Sequence, residues 1–170
     1  MTSNHPEMQG QQLHILYVDD DDNDIQLANF AAPLAGFSAG FHSVKSGAEA
    51  VDYIQGQGRY SDRAKFPMPK LLLLDLRMPR MNGLELLAWV RSQPELLGMV
   101  IIVFTASAHP ADITRACQLG ANAFVQKPFS HTELVQFLKL LKDFWGGFHE
   151  FPQIQQTTYG HHLPRPKLIP

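Results

Sequence analysis

The stretch LYVDDDDND, residues 16–24, passes directly from an apolar run into four consecutive aspartates. Together with the preceding residues it forms the apolar run LHILYV (13–18), which is typical of a strand covered on both faces. Adjacent like charges at the edge of an apolar core repel one another, so a cation or a specific chemistry must offset that repulsion. The stretch therefore predicts a buried strand that ends at an acidic, functional edge.

Outward from this stretch, apolar runs alternate with helical patterns. Further strands are predicted for 41–44, 70–76, 99–104 and 123–126. The first predicted helix has Leu27, Ala31 and Leu34 at helical spacing and stops at Gly36, and the second runs from Ser46 to Gln55 with Ala50, Val51 and Ile54 on one face. Three further helices are predicted over Leu84–Arg91, between Pro110 and Gly120, and after the capping box of Ser130 and Glu133. Residues 56–69 are predicted to be a loop. Five β–α repeats imply parallel strands and right-handed crossovers, hence a doubly wound five-stranded α/β sheet.

In such a sheet the ligand site lies beyond the carboxyl ends of the strands. The residues expected there are three carboxylates, a hydroxyl and an ammonium: Asp19, Asp20, Asp75, Thr105 and Lys127. Their summed charge is negative, and a divalent cation would make it positive enough to attract a phosphoryl group. Clustered carboxylates without soft ligands favour Mg²⁺.

The other acids of the opening stretch have a different interpretation. Asp21, Asp22 and Asp24 stand where the next helix begins, and the N-terminal end of a helix favours anions. We interpret them as capping residues and local charge, with metal ligation as the alternative.

Composition limits the function classes. The chain has 170 residues and a net charge of −2, so a large nucleic-acid-binding surface is not expected. Its one cysteine, Cys117, excludes an intrachain disulfide and is predicted to be a small core residue in a reducing cytoplasm. The N-terminal residues 1–12 are polar, and no apolar run is long enough for a membrane span, so neither a signal peptide nor a membrane anchor is expected.

Four stretches together resemble the receiver domain of two-component response regulators: ILYVDD (15–20), LLLLDLRMPRMNGLE (71–85), VFTAS (103–107) and GANAFVQKPF (120–129). The resemblance implies a flavodoxin-like (βα)₅ receiver fold. It implies that Asp75 is the phosphoacceptor, with Thr105 as the switch hydroxyl, Phe124 as the switch aromatic residue and Lys127 as the phosphate-binding amine. It further implies Mg²⁺ held by Asp20 and Asp75 directly, by Asp19 through water and by the backbone carbonyl of Arg77.

The segments GQGRYSDRAKFPMPKLLLLDL (56–76) and LKDFWGGFHEFP (141–152) resemble a narrower group, the single-domain regulators that accept phosphate from phytochrome-type histidine kinases. This implies a sensor histidine kinase as partner. Phosphoryl acceptance and loss are self-catalysed in the family, so the chain is not expected to be an enzyme in the turnover sense. The family also implies a cis Lys127–Pro128 bond.

Arg77, two residues after Asp75, is a notable cation beside the predicted acceptor. It is expected either to pair with an acidic neighbour or to shield the phosphoryl group from water, and the alternative is an exposed side chain without a kinetic role. Phe124 lacks a tyrosine hydroxyl, so a signal that needs that donor is excluded.

The last helix carries more apolar residues than one face requires. Leu134, Leu138, Leu141 and Trp145 follow one line, with Phe137, Phe144 and Phe148 beside it. The surplus predicts a homodimer through this helix and the C-terminal extension, or else a tail that folds back over it. The predicted organisation is a flexible arm (1–12), a receiver domain with an extended last helix (13–149) and a C-terminal tail (150–170).

Competing functions lack essential residues. A haloacid-dehalogenase-like phosphatase needs a second Asp where Arg77 stands, a flavodoxin needs a hydroxyl-rich phosphate loop after the first strand, and no Walker-type sequence is present. The remaining alternative is a receiver fold that acts as a phosphate-independent interaction module.

Overall fold

The computed structural model describes residues 12–106 and 109–148, together with Phe151 and Pro166. Its strands are β1 (Ile15–Val18), β2 (Phe41–Val44), β3 (Leu71–Leu74), β4 (Val100–Thr105) and β5 (Ala123–Gln126). Its α-helices are α1 (Asp22–Leu34), α2 (Gly47–Gln55), α3 (Gly83–Arg91), α4 (Pro110–Gln118) and α5 (His131–Asp143). The predicted flexible arm and most of the predicted tail lie outside the described residues.

All described strands pair in parallel, in the order β2-β1-β3-β4-β5. This confirms the predicted doubly wound, flavodoxin-like sheet. The central strands β1, β3 and β4 are buried along their whole length, as their continuous apolar sequences predict. Strand order reverses at β1, so β2 lies on one side of it and β3 on the other, and the carboxyl ends of β1, β3 and β4 border one crevice.

Two apolar cores flank the sheet. Helices α2 and α3 cover one face together with Ala116 of α4, and helices α1 and α5 cover the other face. Leu134, Leu138 and Leu141 of α5 are buried against the sheet, as predicted. Phe137 also belongs to this core, because its ring stacks on Phe104 at 5.0 Å and 5°.

The predicted apolar line along α1 is right for Ala31 and wrong for Leu27 and Leu34. Its buried residues are Ile25, Ala28, Ala31 and Ala32, whereas Leu27 and Leu34 are exposed. Small alanines face the sheet because α1 packs closely beside α5, and the larger side chains then point outward. Cys117 is likewise exposed on α4 rather than buried in the core, since only Ala116 of that helix is fully buried.

The predicted loop 56–69 contains a short 3₁₀ turn, Gly58–Tyr60, and an aromatic cluster. Tyr60 and Phe66 pack against Tyr53 of α2, with ring centroids 4.9 to 6.0 Å apart. The Arg63 guanidinium donates to the backbone carbonyls of Tyr53, Ile54 and Phe66. The segment is therefore folded onto the core, a result that its Gly- and Pro-containing sequence did not indicate.

The chain after α5 continues as a π-helical turn, Phe144–Phe148. The Trp145 ring packs against that of Phe151 at 6.3 Å, and the Lys70 ammonium lies 5.3 Å from the Phe151 ring. The first residue described after the turn therefore rests on the same core as α5.

Candidate functional site: an acidic crevice at the strand ends

The carboxyl ends of β1, β3, β4 and β5 bring together the residues that the sequence singled out. The backbone N–H of Asp75 donates to the carbonyl of Val18 at 2.9 Å, which fixes the end of β3 beside that of β1. The N–H of Lys127 donates to the Thr105 carbonyl at 2.9 Å, which joins the ends of β5 and β4. Residues more than a hundred positions apart therefore border one crevice.

Asp19, Asp20 and Asp75 form a carboxylate triad in this crevice. One oxygen of each lies within 4.8 Å of the others. Asp19 and Asp75 are buried, whereas Asp20 is exposed. An all-oxygen donor set with one open side fits Mg²⁺, which retains several of its waters when it binds a protein.

Asp19 is held by three donors. Its Oδ1 accepts from the backbone N–H of Asp21 at 3.0 Å, and its Oδ2 accepts from Lys127 Nζ at 2.5 Å and from the Tyr17 hydroxyl. Burial raises the pKa of Tyr17, as does the negative charge of Asp19, so the phenol remains a hydrogen-bond donor. Sequence reasoning missed Tyr17, although a tyrosine two residues before Asp19 points to the same face of the strand.

Lys127 contacts two carboxylates directly. Its Nζ lies 2.5 Å from Asp19 Oδ2 and 2.6 Å from Asp24 Oδ2, and 3.6 Å from Asp75 Oδ1. Burial would lower the pKa of Lys127, but the hydrogen bonds to Asp19 and Asp24 outweigh burial and raise it above its usual value. The ammonium therefore stays charged and close to Asp75.

Asp75 is only 4% exposed at the centre of the crevice. Its Oδ2 accepts from the backbone N–H of Arg77 at 2.8 Å. Burial raises the pKa of Asp75 above its usual value, the Lys127 ammonium lowers it and the Asp19 carboxylate raises it. The carboxylate is thus poorly solvated while one of its oxygens faces a cation.

Thr105 ends β4 at the crevice, and Phe124 lies on the neighbouring strand β5 opposite Val103. The Thr105 hydroxyl is buried and has no partner at ordinary hydrogen-bond geometry among the described residues, although it is near enough to Asp75 to favour the charged carboxylate. Phe124, on the edge strand β5, is half-buried and packs against the core beneath α2 and α3. A buried hydroxyl of this kind is available to a new acceptor.

The remaining acids of the opening stretch divide into three roles. Asp21 is the N-cap of α1, because its side chain accepts from the N–H groups of Asn23 and Asp24. Asp22 pairs with Lys45 on the surface. Both fit the predicted capping and local charge, whereas Asp24 differs, because it contacts Lys127 inside the crevice.

Two predictions about single residues have clear outcomes in the structure. The Arg77 guanidinium pairs with Asp112 of α4, which is the first of the roles considered for it. The Lys127–Pro128 bond is trans, so the expected cis bond is wrong for this structure. The trans form is the ordinary preference of an X–Pro bond, and it still leaves Lys127 directed at the acids.

No helix among the described residues combines the length and apolar character that crossing a membrane requires.

Comparison with known proteins agrees with this geometry. Residues 15–139 match the response regulator receiver domain family. The chain is 28% identical to the response regulator Rcp1 of Synechocystis over 131 residues, which are 77% of this chain and 87% of Rcp1. A solved structure of Rcp1 in its Mn²⁺-bound form, 26% identical, superposes with a TM-score of 0.68 and covers 83% of this chain and 99% of that one.

Two further solved structures are similar. The phosphorylated cyanobacterial phytochrome response regulator RcpA is 29% identical with a TM-score of 0.74, and the match covers 84% of this chain and 99% of RcpA. RPA3017, a response regulator in red light signalling of R. palustris, is 31% identical with a TM-score of 0.73 over 82% of this chain and 99% of that chain.

Proposed function

The chain belongs to the response regulator receiver domain family, and on that premise we propose that it is a single-domain response regulator phosphorylated on Asp75 by a sensor histidine kinase. One observation carries the proposal: the buried Asp75 carboxylate lies beside two further carboxylates and 3.6 Å from the Lys127 ammonium. A site of this kind suits phosphoryl transfer, which depends on positioning and charge stabilisation more than on covalent catalysis by the protein.

Mg²⁺ fits the donors of the crevice. We propose that Asp20 and Asp75 bind it directly, Asp19 through water and Arg77 through its backbone carbonyl. The bonding of Asp19 supports this division, because Asp21, Tyr17 and Lys127 already occupy most of its acceptor capacity. Bound Mg²⁺ would neutralise charge on the phosphoryl oxygens.

The acceptance step is a displacement at phosphorus. A carboxylate oxygen of Asp75 forms an O–P bond while the P–N bond of the kinase's phosphohistidine breaks, and the imidazole leaves with the electron pair and takes up a proton. Lys127 stabilises the phosphoryl oxygens by its charge. This single transfer is not turnover, so the protein acts as a signalling module and not as an enzyme.

The switch that follows uses Thr105 and Phe124. A phosphoryl group on Asp75 supplies acceptor oxygens for the unsatisfied Thr105 hydroxyl. Movement of Thr105 toward them opens space that the half-buried Phe124 ring can enter, which repacks the surface around α4, β5 and α5. Structures with and without beryllofluoride test this step, and an unchanged Phe124 rotamer contradicts it.

The partners follow from the relatives. The resemblance to RcpA and RPA3017 supports a phytochrome-type histidine kinase as phosphodonor. We further propose that the protein acts in the cytoplasm, without direct binding of nucleic acid or membrane. Exposed Leu140 and Phe144 support a homodimer through the end of α5 and the extension that follows it. Phosphotransfer profiling against histidine kinases, with a phytochrome-type kinase included, tests the first of these proposals.

The competing function is a phosphate-independent interaction module. Incubation with Mg²⁺ and acetyl phosphate, followed by intact-mass measurement, distinguishes the two functions. We expect acid-labile phosphate on the parent chain and none on the Asp75→Asn variant. Absence of uptake by a folded parent chain would favour the interaction module.

A further inference from the structure

Asp24 has a position that neither capping nor the metal site explains. It lies in the first turn of α1, and its side chain is 38% exposed. Its Oδ2 is 2.6 Å from Lys127 Nζ, a distance typical of a strong charge-assisted hydrogen bond. It is not part of the carboxylate triad of Asp19, Asp20 and Asp75.

The contact fixes where the ammonium lies. Lys127 Nζ is bound on one side by Asp19 at 2.5 Å and on another by Asp24 at 2.6 Å, whereas Asp75 Oδ1 is 3.6 Å away. The ammonium is therefore closer to α1 than to the phosphoacceptor. Two carboxylates already balance its single positive charge, which reduces the attraction that it offers to an incoming anion.

Building on the proposed phosphoryl acceptance at Asp75, we propose that Asp24 is a positioning residue that holds Lys127 in its resting place and competes with the phosphoryl group for the ammonium. Phosphorylation then requires Lys127 to weaken its bond to Asp24 as it bonds a phosphoryl oxygen. Asp24 thus lowers the stability of the phosphorylated form and sets the threshold of the switch.

The matched variants are Asp24→Asn and Asp22→Asn. Both remove one negative charge from the first turn of α1, but Asp22 pairs with Lys45 on the surface and does not contact Lys127. Isothermal titration of each chain with beryllofluoride and Mg²⁺ measures the affinity for a phosphoryl mimic. We expect Asp24→Asn to bind it about two- to fivefold more tightly than the parent, as for loss of one partly exposed ion pair, and Asp22→Asn to match the parent. Asp24→Glu, which keeps the charge, restores the parent affinity.

A second measurement tests the contact without the mimic. Unfolding midpoints are compared for Asp24→Asn, Lys127→Met and the double variant, in buffer without metal. We expect Asp24→Asn to lower the midpoint in the parent but not in the Lys127→Met background, whereas the effect of Asp22→Asn is the same in both backgrounds. If Asp24→Asn changes the unfolding midpoint equally in both backgrounds, Asp24 does not interact with Lys127 and the proposed role fails.

The titrations separate failure of the two proposals. A folded parent chain that does not bind the mimic overturns the proposed function and this inference together. A parent that binds it, with Asp24→Asn binding equally or more weakly, overturns the role of Asp24 alone.

Discussion

The Arg77 guanidinium lies 3.2 Å from Asp112 Oδ2, which joins the loop after β3 to the first turn of α4. Both partners are near the surface, and Arg77 is 67% exposed, so this ion pair contributes little to stability. Its value is positional, because the backbone N–H of Arg77 also holds Asp75 Oδ2. The Arg77 side chain, two residues after Asp75, is therefore anchored beside the crevice.

We predict that Arg77→Asn loses its phosphoryl group faster than the parent. We propose that the guanidinium shields the phosphoryl group from attacking water. Its removal should then raise the rate of loss about two- to fivefold, a change of about 1 kcal/mol or less in the barrier. Decay of the phosphorylated chain, followed by intact mass, measures the rate. Asp112→Asn is the comparison: it keeps the guanidinium but removes its anchor, and should accelerate the loss less than Arg77→Asn does. An equal or slower rate in Arg77→Asn contradicts the prediction.

We predict that protonation of two half-buried histidines, His14 and His42, lowers the free energy of unfolding in acid. Burial lowers the pKa of His14, with Lys70 and His42 acting in the same direction, and burial lowers the pKa of His42. The His42 ring packs 5.6 Å from Tyr53. The unfolded chain, with its ordinary histidine pKa of 6.5, binds these protons more readily than the folded one. Their contribution to stability is therefore present above pH 6.5 and is lost as the pH falls below that value.

The free energy of unfolding in urea, measured between pH 8 and pH 5, tests this prediction. Each histidine contributes a slope of at most about 1.4 kcal/mol per pH unit. A His14→Gln, His42→Gln chain should show a flatter profile than the parent over this range, even if it is less stable throughout. Parallel profiles for the two chains would refute the assignment.

Gly83 lets the start of α3 lie directly against the backbone of Asp75, and we predict that this close approach is needed for stability and for the site. A Cβ at this first residue of α3 would overlap the backbone carbonyl oxygen of Asp75. Gly83→Ala must therefore displace the backbone at Asp75, and we expect a loss of about 1–3 kcal/mol in unfolding free energy together with weaker binding of beryllofluoride. Gly147→Ala is the control, because a Cβ there meets no atom of the described part of the chain within 4 Å. A Gly83→Ala chain with the stability and the beryllofluoride affinity of the parent would contradict this prediction.

We predict that the exposed end of α5 forms the interface of a homodimer. Leu140 is 68% exposed in the helix that we propose as the dimer interface. Leu140→Glu should shift the chain from dimer to monomer in light scattering at micromolar concentration, by raising the dissociation constant at least about tenfold. Leu97→Glu is the control, because Leu97 is 62% exposed but lies after α3. A monomeric parent, or equal effects of both substitutions, would count against the interface.

Much of the fold, and the grouping of residues at the strand ends, could be predicted from the sequence. Continuous apolar runs identified the central strands, and the residue types at their ends identified the acids, Thr105 and Lys127. Side-chain direction on α1 was not readable, because Leu27 and Ala28 are both apolar and only close packing beside α5 decides which one is buried. The Asp24–Lys127 contact spans 103 positions, and an acid at a helix start has a sufficient local explanation in the helix dipole.

The loop before β3 shows a second limit of prediction from sequence. Gly56, Gly58 and Pro67 indicate irregular backbone, which is what the structure contains. The aromatic cluster of Tyr60 and Phe66 depends on Tyr53 from α2, and Arg63 satisfies carbonyls at the end of that helix. Such packing between irregular segments has no sequence period, so periodicity could not predict it.

The hydrogen bond from the Lys127 amide to the Thr105 carbonyl has a consequence for how the signal is read. Because this bond joins the strand end that carries the Thr105 hydroxyl to the one that carries the Lys127 amine, the two side chains start from backbone positions that are fixed relative to each other. Each group can therefore reach an occupant of Asp75 by rotation of its own side chain, without separation of β4 from β5.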